Sequence, residues 1–304
     1  MSTLRVVTLG DSVCWGQGLS EEQKFDTLLG RALESPRTKA TIERLAHSGA
    51  VIGDQDRGAR TAAGEVPVSS PTIIQQCERF TNNPASVNVV LVNGGINDIG
   101  VARIVNPFAL VPSLSFRIRR ACLCGMGALL RVVTRKFAGR DCQILVVGYY
   151  PILSELSDPF KAMRVLNLHG IARPPFAELG DVDFIAPVIA RCKQFFDEST
   201  NALQQAIADV GDSRVKFVST GFTAANAMFT DNPMLWALDR FLNPQDPIAP
   251  MRRPQCDLSF DVTRPIERIL CYRASAGHPN VEGARLIARQ ALAALGATQL
   301  AATG

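Results

Sequence analysis

The stretch Leu4-Arg5-Val6-Val7-Thr8-Leu9-Gly10-Asp11-Ser12 decides how the rest of the chain is read. Residues 4–9 are rich in β-branched and apolar side chains, the pattern of a short strand covered on both faces. Gly10-Asp11-Ser12 then ends that strand in small, turn-forming residues. Working outward, similar runs stand at 87–93, 143–149 and 214–219, with a weaker one at 41–46. Helical patterns lie between them. Residues 21–34 follow Ser20, with Gln23 three positions on, as in a capping box. Segments 71–80 and 187–210 open on Pro71 and Pro187, which a first helical turn tolerates, and 281–295 repeats apolar residues at helical spacing. Strand alternating with helix predicts a parallel sheet with helices on both faces. Sites in such sheets lie beyond the carboxyl ends of the strands.

No internal repeat or low-complexity linker divides the 304 residues, so a single domain over 1–304 is expected. Segments around 101–140, 153–185 and 226–254 fit the alternation poorly. They are expected to be insertions decorating the face that carries the site. Residues 111–139 are both apolar and basic. They are expected to pack on the sheet with a solvated basic face; peripheral contact with a membrane is the less favoured alternative.

The chain is 47% hydrophobic and 20% charged, enough to bury a sizeable core, and disorder is excluded as its main state. Its 32 basic and 28 acidic residues leave +4, a balance that does not point to nucleic acid. Three histidines, His47, His169 and His278, and eight dispersed cysteines make a metal site improbable. The cysteines read as buried thiols of a reducing compartment, with a single Cys256–Cys271 bridge in an exported protein as the alternative. The first ten residues do not read as a signal peptide, and no apolar run is long enough to span a bilayer. A cytoplasmic location is therefore favoured, with export by another route left open.

Four short motifs sit where strands end. Gly10-Asp11-Ser12 follows the first strand and can hold a hydroxyl, with the Ser12 amide near a helix N-terminus. His47-Ser48-Gly49 follows the second, and Gly49 can offer a backbone N–H. Asn93-Gly94-Gly95-Ile96-Asn97-Asp98 ends the third clear strand and can present the Asn97 amide. His278-Pro279-Asn280 precedes the last helix, with Asn280 as its N-cap. Each alone is an ordinary turn.

In this order and strand context the four motifs resemble the blocks of the SGNH (GDSL) hydrolases, and the resemblance runs from residue 4 to about residue 296. It implies a flavodoxin-like three-layer α/β/α sandwich of about five parallel strands. It also implies esterase or lipase chemistry on carboxylic esters, lipid or small-molecule, without metal or cofactor. Ser12 would be the nucleophile and His278 the general base. The Ser12 N–H, the Gly49 N–H and the Asn97 side chain would form the oxyanion hole. Asp11 and Asp98 would hold turns, and Trp15 and Gln17 would line the mouth. A thioesterase or acyltransferase variant stays open, as does a non-catalytic binding protein on the same fold.

One position departs from the pattern. The family usually has Asp three residues before the histidine; here Ser275 stands there. A backbone carbonyl near Ser275 or Ala276 is the preferred acceptor for the second nitrogen of His278. An acid from elsewhere, with Asp257 and Asp261 nearest in sequence, and a loss of catalysis are the alternatives. Of the other candidates, Cys14 reads as a buried thiol and His47 as a brace for its loop, while His169 falls in an exposed insertion.

Overall fold

The computed structural model describes residues 2–53, 62–108, 110–168, 171 and 181–296. His169 lies outside them. Five strands, β1 Ser2–Leu9, β2 Thr38–Arg44, β3 Val89–Val92, β4 Gln143–Val147 and β5 Val215–Val218, form one sheet in the order β2-β1-β3-β4-β5. Every neighbouring pair is parallel. The buried halves of β1, β3 and β4 are the continuous apolar runs of the sequence, as a sheet covered on both faces requires. β2 is an edge strand with alternating exposure, which explains its weaker signal and its start three residues before the predicted 41.

The chain leaves β1 to form β2 on one side and returns to form β3 on the other. The carboxyl ends of β1 and β3 therefore flank the crevice where such a sheet reverses direction. Helices α1 Ser12–Trp15, α2 Phe25–Leu33 and α3 Ile73–Arg79 precede β3. Then come α4 Ile96–Ile99, α5 Val101–Ile104, α6 Val111–Ile118 and α7 Met126–Lys136. After β4 and β5 follow α8 Pro159–Leu168, α9 Asp181–Val210, α10 Ala249–Ser259, α11 Pro265–Tyr272 and α12 Val281–Ala294. α2 packs with α12; α7 packs with α3 and α9, which gives the outer layers of a three-layer α/β/α sandwich.

Three predicted elements differ in detail. The helix expected over 21–34 breaks at Lys24, whose extended backbone separates a 3-10 turn, Glu21–Gln23, from α2. There Lys24 lies 3.6 Å over the Trp15 ring and pairs with Glu21 at 2.7 Å. α9 begins six residues before Pro187, which sits inside the helix and forgoes one backbone bond. The basic segment 111–139 is α6 and α7 joined by a π-helical turn, Arg119–Gly125. Its Leu114, Ile118, Cys122, Met126, Leu130 and Val133 join the core, while Arg119, Arg120, Arg131 and Arg135 face solvent.

The cysteine expectation needs correction. Cys256 and Cys271 form a disulfide between α10 and α11. Cys14, Cys77, Cys122, Cys142 and Cys192 are buried thiols as expected, and Cys124 is exposed. A bridge of this kind is uncommon in a reducing compartment, so the cysteines no longer favour the cytoplasm. No helix among the described residues is long and apolar enough to cross a membrane.

Candidate active site

Gly10 turns the chain from β1 into α1. Its φ is +146°, and a Cβ there would meet Asn93 O at 2.9 Å and the Cys14 side chain at 2.8 Å, so a side chain would not fit. Gln76 of α3 grips this peptide from both sides, accepting from Gly10 N at 2.8 Å and donating to Gly10 O at 3.0 Å. Asp11 caps α1 by accepting from Val13 N at 2.9 Å. Ser12 is thereby the first residue of α1, buried at the mouth of the sheet.

Tyr149, just beyond β4, ties two of these turns together. Its hydroxyl donates to Asp11 Oδ2 at 3.1 Å and accepts from Ile96 N at 2.9 Å. Burial without a cation raises the Asp11 carboxyl to about 7, despite the hydrogen bonds from Val13 and Tyr149. Asn97 and Asp98 in turn hold the segment after Gly49. Asn97 Nδ2 donates to Ala50 O at 3.0 Å, and the Asp98 carboxylate accepts from Ile52 N at 3.1 Å. Gly49 has φ +81°, and a Cβ there would lie 2.7 Å from Val68 N, which excludes other residues. Neither the Ser12 nor the Gly49 N–H meets an acceptor among the described residues. Gly49 and Asn97 also border an open cleft of about 1220 Å³.

His278 enters from the far end of the chain. Its loop pairs with residues 234–236: Trp236 N donates to His278 O at 2.8 Å and Gly277 N to Trp236 O at 2.9 Å. Asn280 caps α12 by accepting from Gly283 N at 3.1 Å. Between these anchors the His278 ring places Nε2 2.7 Å from Ser12 Oγ. Nδ1 lies 3.3 Å from the Ser275 carbonyl oxygen. A carbonyl can only accept, so the proton sits on Nδ1 and Nε2 accepts from the Ser12 hydroxyl. Burial lowers the His278 pKa to about 4. The Ser275 carbonyl works against that shift, and the Arg252 charge adds to it. The ring is therefore neutral over most of the pH range.

Among the described residues no carboxylate touches His278. Asp257 accepts from the Tyr272 hydroxyl, and Asp261 accepts from Thr263 N at 2.9 Å. Both are occupied elsewhere, so the two acids nearest in sequence are not the partners. The acid that the sequence did not reveal is Asp246. It is fully buried and accepts from the Ser275 hydroxyl, one residue face away from the carbonyl that meets His278. Asp246 also pairs with Arg252, which reaches Glu65 Oε2 at 3.1 Å and Tyr272 O at 3.0 Å. Glu65 closes the chain by accepting from Trp15 Nε1 at 2.8 Å and Gln17 Nε2 at 2.8 Å. Trp15 and Gln17 thus turn to Glu65, not to the mouth of the site as expected.

His47 hydrogen-bonds Ser48 O at 2.8 Å and Ala62 O at 3.3 Å and braces its loop. Cys14 is buried, and burial raises its thiol well above the ordinary range. Among the described residues no group of three or more His, Cys, Asp or Glu is placed to hold a metal ion.

No family model and no curated protein matches the chain. Solved structures do. A lipase from a goat rumen metagenome aligns with 96% of this chain and 97% of its own at 13% identity, with a TM-score of 0.50. An extracellular lipase from Streptomyces rimosus aligns with 92% and 94% at 17% identity and a TM-score of 0.47. An acetyl xylan esterase variant from Geobacillus stearothermophilus aligns with 99% and 98% at 15% identity and a TM-score of 0.46. At such identities the likeness to the rumen lipase concerns the fold alone, and this chain's fold is a five-stranded, all-parallel α/β/α sandwich.

Proposed function

We propose that the chain is a serine ester hydrolase of the SGNH type, with Ser12 as nucleophile and His278 as general base. The observation that carries this reading is the 2.7 Å contact between Ser12 Oγ and His278 Nε2, joined to a tautomer that leaves Nε2 free to accept the proton. The four sequence motifs meet at one end of the sheet, and structural neighbours of this fold include lipases and an acetyl xylan esterase.

In this mechanism Ser12 Oγ attacks the acyl carbon while its proton passes to His278 Nε2. Negative charge collects on the acyl oxygen. The unengaged Ser12 and Gly49 amides and the second N–H of Asn97 are the donors offered to it. The tetrahedral intermediate collapses, His278 returns the proton to the leaving oxygen, and an acyl-Ser12 remains. Water, activated by His278 in the same way, releases the acid. Among the described residues the imidazolium has backbone groups of Ser275 and Ala276 beside it and no carboxylate in contact, and the Asp246–Arg252–Glu65 chain holds the Ser275 side chain. We take the whole of 1–304 as one such unit, with 101–140, 153–185 and 226–254 shaping the site face.

Hydrolysis of 4-nitrophenyl acetate, butyrate and octanoate by the wild type and by Ser12→Ala tests the reading. Turnover by the wild type and its loss in a folded Ser12→Ala protein are expected. Equal rates in the two proteins would remove Ser12 from the chemistry.

A further inference from the structure

The cleft that borders Gly49 and Asn97 has an unusual charge for a site built to receive an ester. Arg103 of α5, Arg117 of α6 and Arg120 of the π-helical turn all line it. Arg117 and Arg120 meet no carboxylate and no hydrogen-bond acceptor among the described residues. Arg103 makes one long contact, at 3.4 Å, to the Ile99 carbonyl. The one carboxylate among the described lining residues is Asp98, and it is held by the Ile52 N–H. The Arg120 charge reaches it, favouring the carboxylate against the burial that raises its pKa. Three guanidinium groups therefore share a wall with a single acid that is already engaged.

The backbone beside them is also irregular. A π turn inserts one residue into the helical register, a device common at functional sites. Here Cys122 of the turn is fully buried in the core, while Arg120 and Ala121 line the cleft. Apolar residues, Ile52 and Ile74 among others, line the same cleft. Guanidinium groups with free donors beside apolar walls suit a carboxylate or phosphate on an otherwise apolar body.

We infer that this cleft is an anion subsite: the substrate is an ester that carries a carboxylate or phosphate group, held by Arg117 and Arg120 with Arg103. The inference rests on the serine hydrolase reading for its link to catalysis, and on the cleft alone for binding. Two measurements separate these. The first compares kcat/KM for mono-(4-nitrophenyl) glutarate with that for 4-nitrophenyl pentanoate, in the wild type and in R117A/R120A and R117K/R120K. The charged ester is expected to be favoured by the wild type. The charged-to-neutral ratio should fall about tenfold in the Ala variant and only partly in the Lys variant. The second titrates octyl phosphate and octan-1-ol into folded Ser12→Ala protein by calorimetry. Octyl phosphate should bind more tightly than the alcohol and lose about tenfold in affinity when R117A/R120A is added. A response to the glutarate ester alone would assign the site to carboxylates, and a response to octyl phosphate alone to phosphates. An unchanged ester ratio together with unchanged octyl phosphate binding overturns the inference. Absence of all ester turnover would overturn the hydrolase reading, and the titration would still decide the subsite.

Discussion

The two sides of His278 are built in opposite ways. In front, Nε2 meets a hydroxyl set by a local turn: Gly10, Asp11 and Ser12 are consecutive, and their geometry follows from the end of β1. Behind, Nδ1 meets a carbonyl whose position depends on Ser275, Asp246, Arg252 and Glu65, brought together from separate parts of the chain. The front is neutral and nearly free of ionic contacts. The back is a buried ionic chain that stops one peptide short of the ring. The difference shows how a histidine can be oriented without a carboxylate touching it: a fixed carbonyl sets the tautomer, and charge is kept at a distance.

Breaking the front should have the largest effect. Removing the base in His278→Ala, like removing Ser12, is expected to lower kcat/KM by about 10³-fold or more, measured with 4-nitrophenyl butyrate. Asn97→Ala should cost roughly 10²–10³ in kcat through the lost donor. Part of that effect would come through the Ala50 carbonyl that Asn97 holds. Cutting the back should act more on stability than on chemistry. Arg252→Met leaves Asp246 and Glu65 buried without their cation, a loss of about 3–5 kcal/mol in denaturant unfolding. The milder Asp246→Asn keeps the side-chain shape and should lower kcat up to about 10²-fold by loosening the Ser275 carbonyl. Its KM should change little. A stability loss with kcat intact would make Asp246 purely structural.

The smallest effect concerns pH. With the His278 pKa lowered to about 4, the base is neutral well below its ordinary range, and kcat/KM should stay level from pH 8 to about 5 before falling. The His278 contribution to stability runs the same way for a related reason. Below about pH 6.5 an unfolded His278 takes a proton that the folded ring refuses, so unfolding is favoured as pH drops toward 4. Asp11, raised to about 7, acts in the opposite sense over the same window, so the comparison isolates His278: the Tm of His278→Ala should gain on that of the wild type as pH falls from 6.5 to 4. A kinetic pKa near 6.5 would place the ring in water, contrary to its buried setting.

The same contrast explains what could be read from the sequence. Strands β1, β3 and β4 were legible because burial on both faces forces continuous apolar runs, and the edge strand β2 was faint because it needs none. Ser12, Gly49, Asn97 and His278 each belong to a short motif tied to the end of a strand or the start of a helix, so their letters travel with their geometry. Asp246 has no such motif. It lies 29 residues from Ser275, and Glu65 lies 187 from Arg252. Proximity in sequence pointed instead to Asp257 and Asp261, which pair locally with Tyr272 and Thr263. The break at Lys24 carries no signal in its own segment either; its side chain rests on the Trp15 ring, from the helix before.

The central claim is that Ser12 becomes acylated with the help of His278. Treating the folded protein with a fluorophosphonate and mapping the adduct by peptide mass spectrometry tests it most directly. A single adduct on Ser12, formed by the wild type and suppressed in His278→Ala, is the expected result. A folded wild-type protein that stays unlabelled, or an adduct on any other residue, would contradict it.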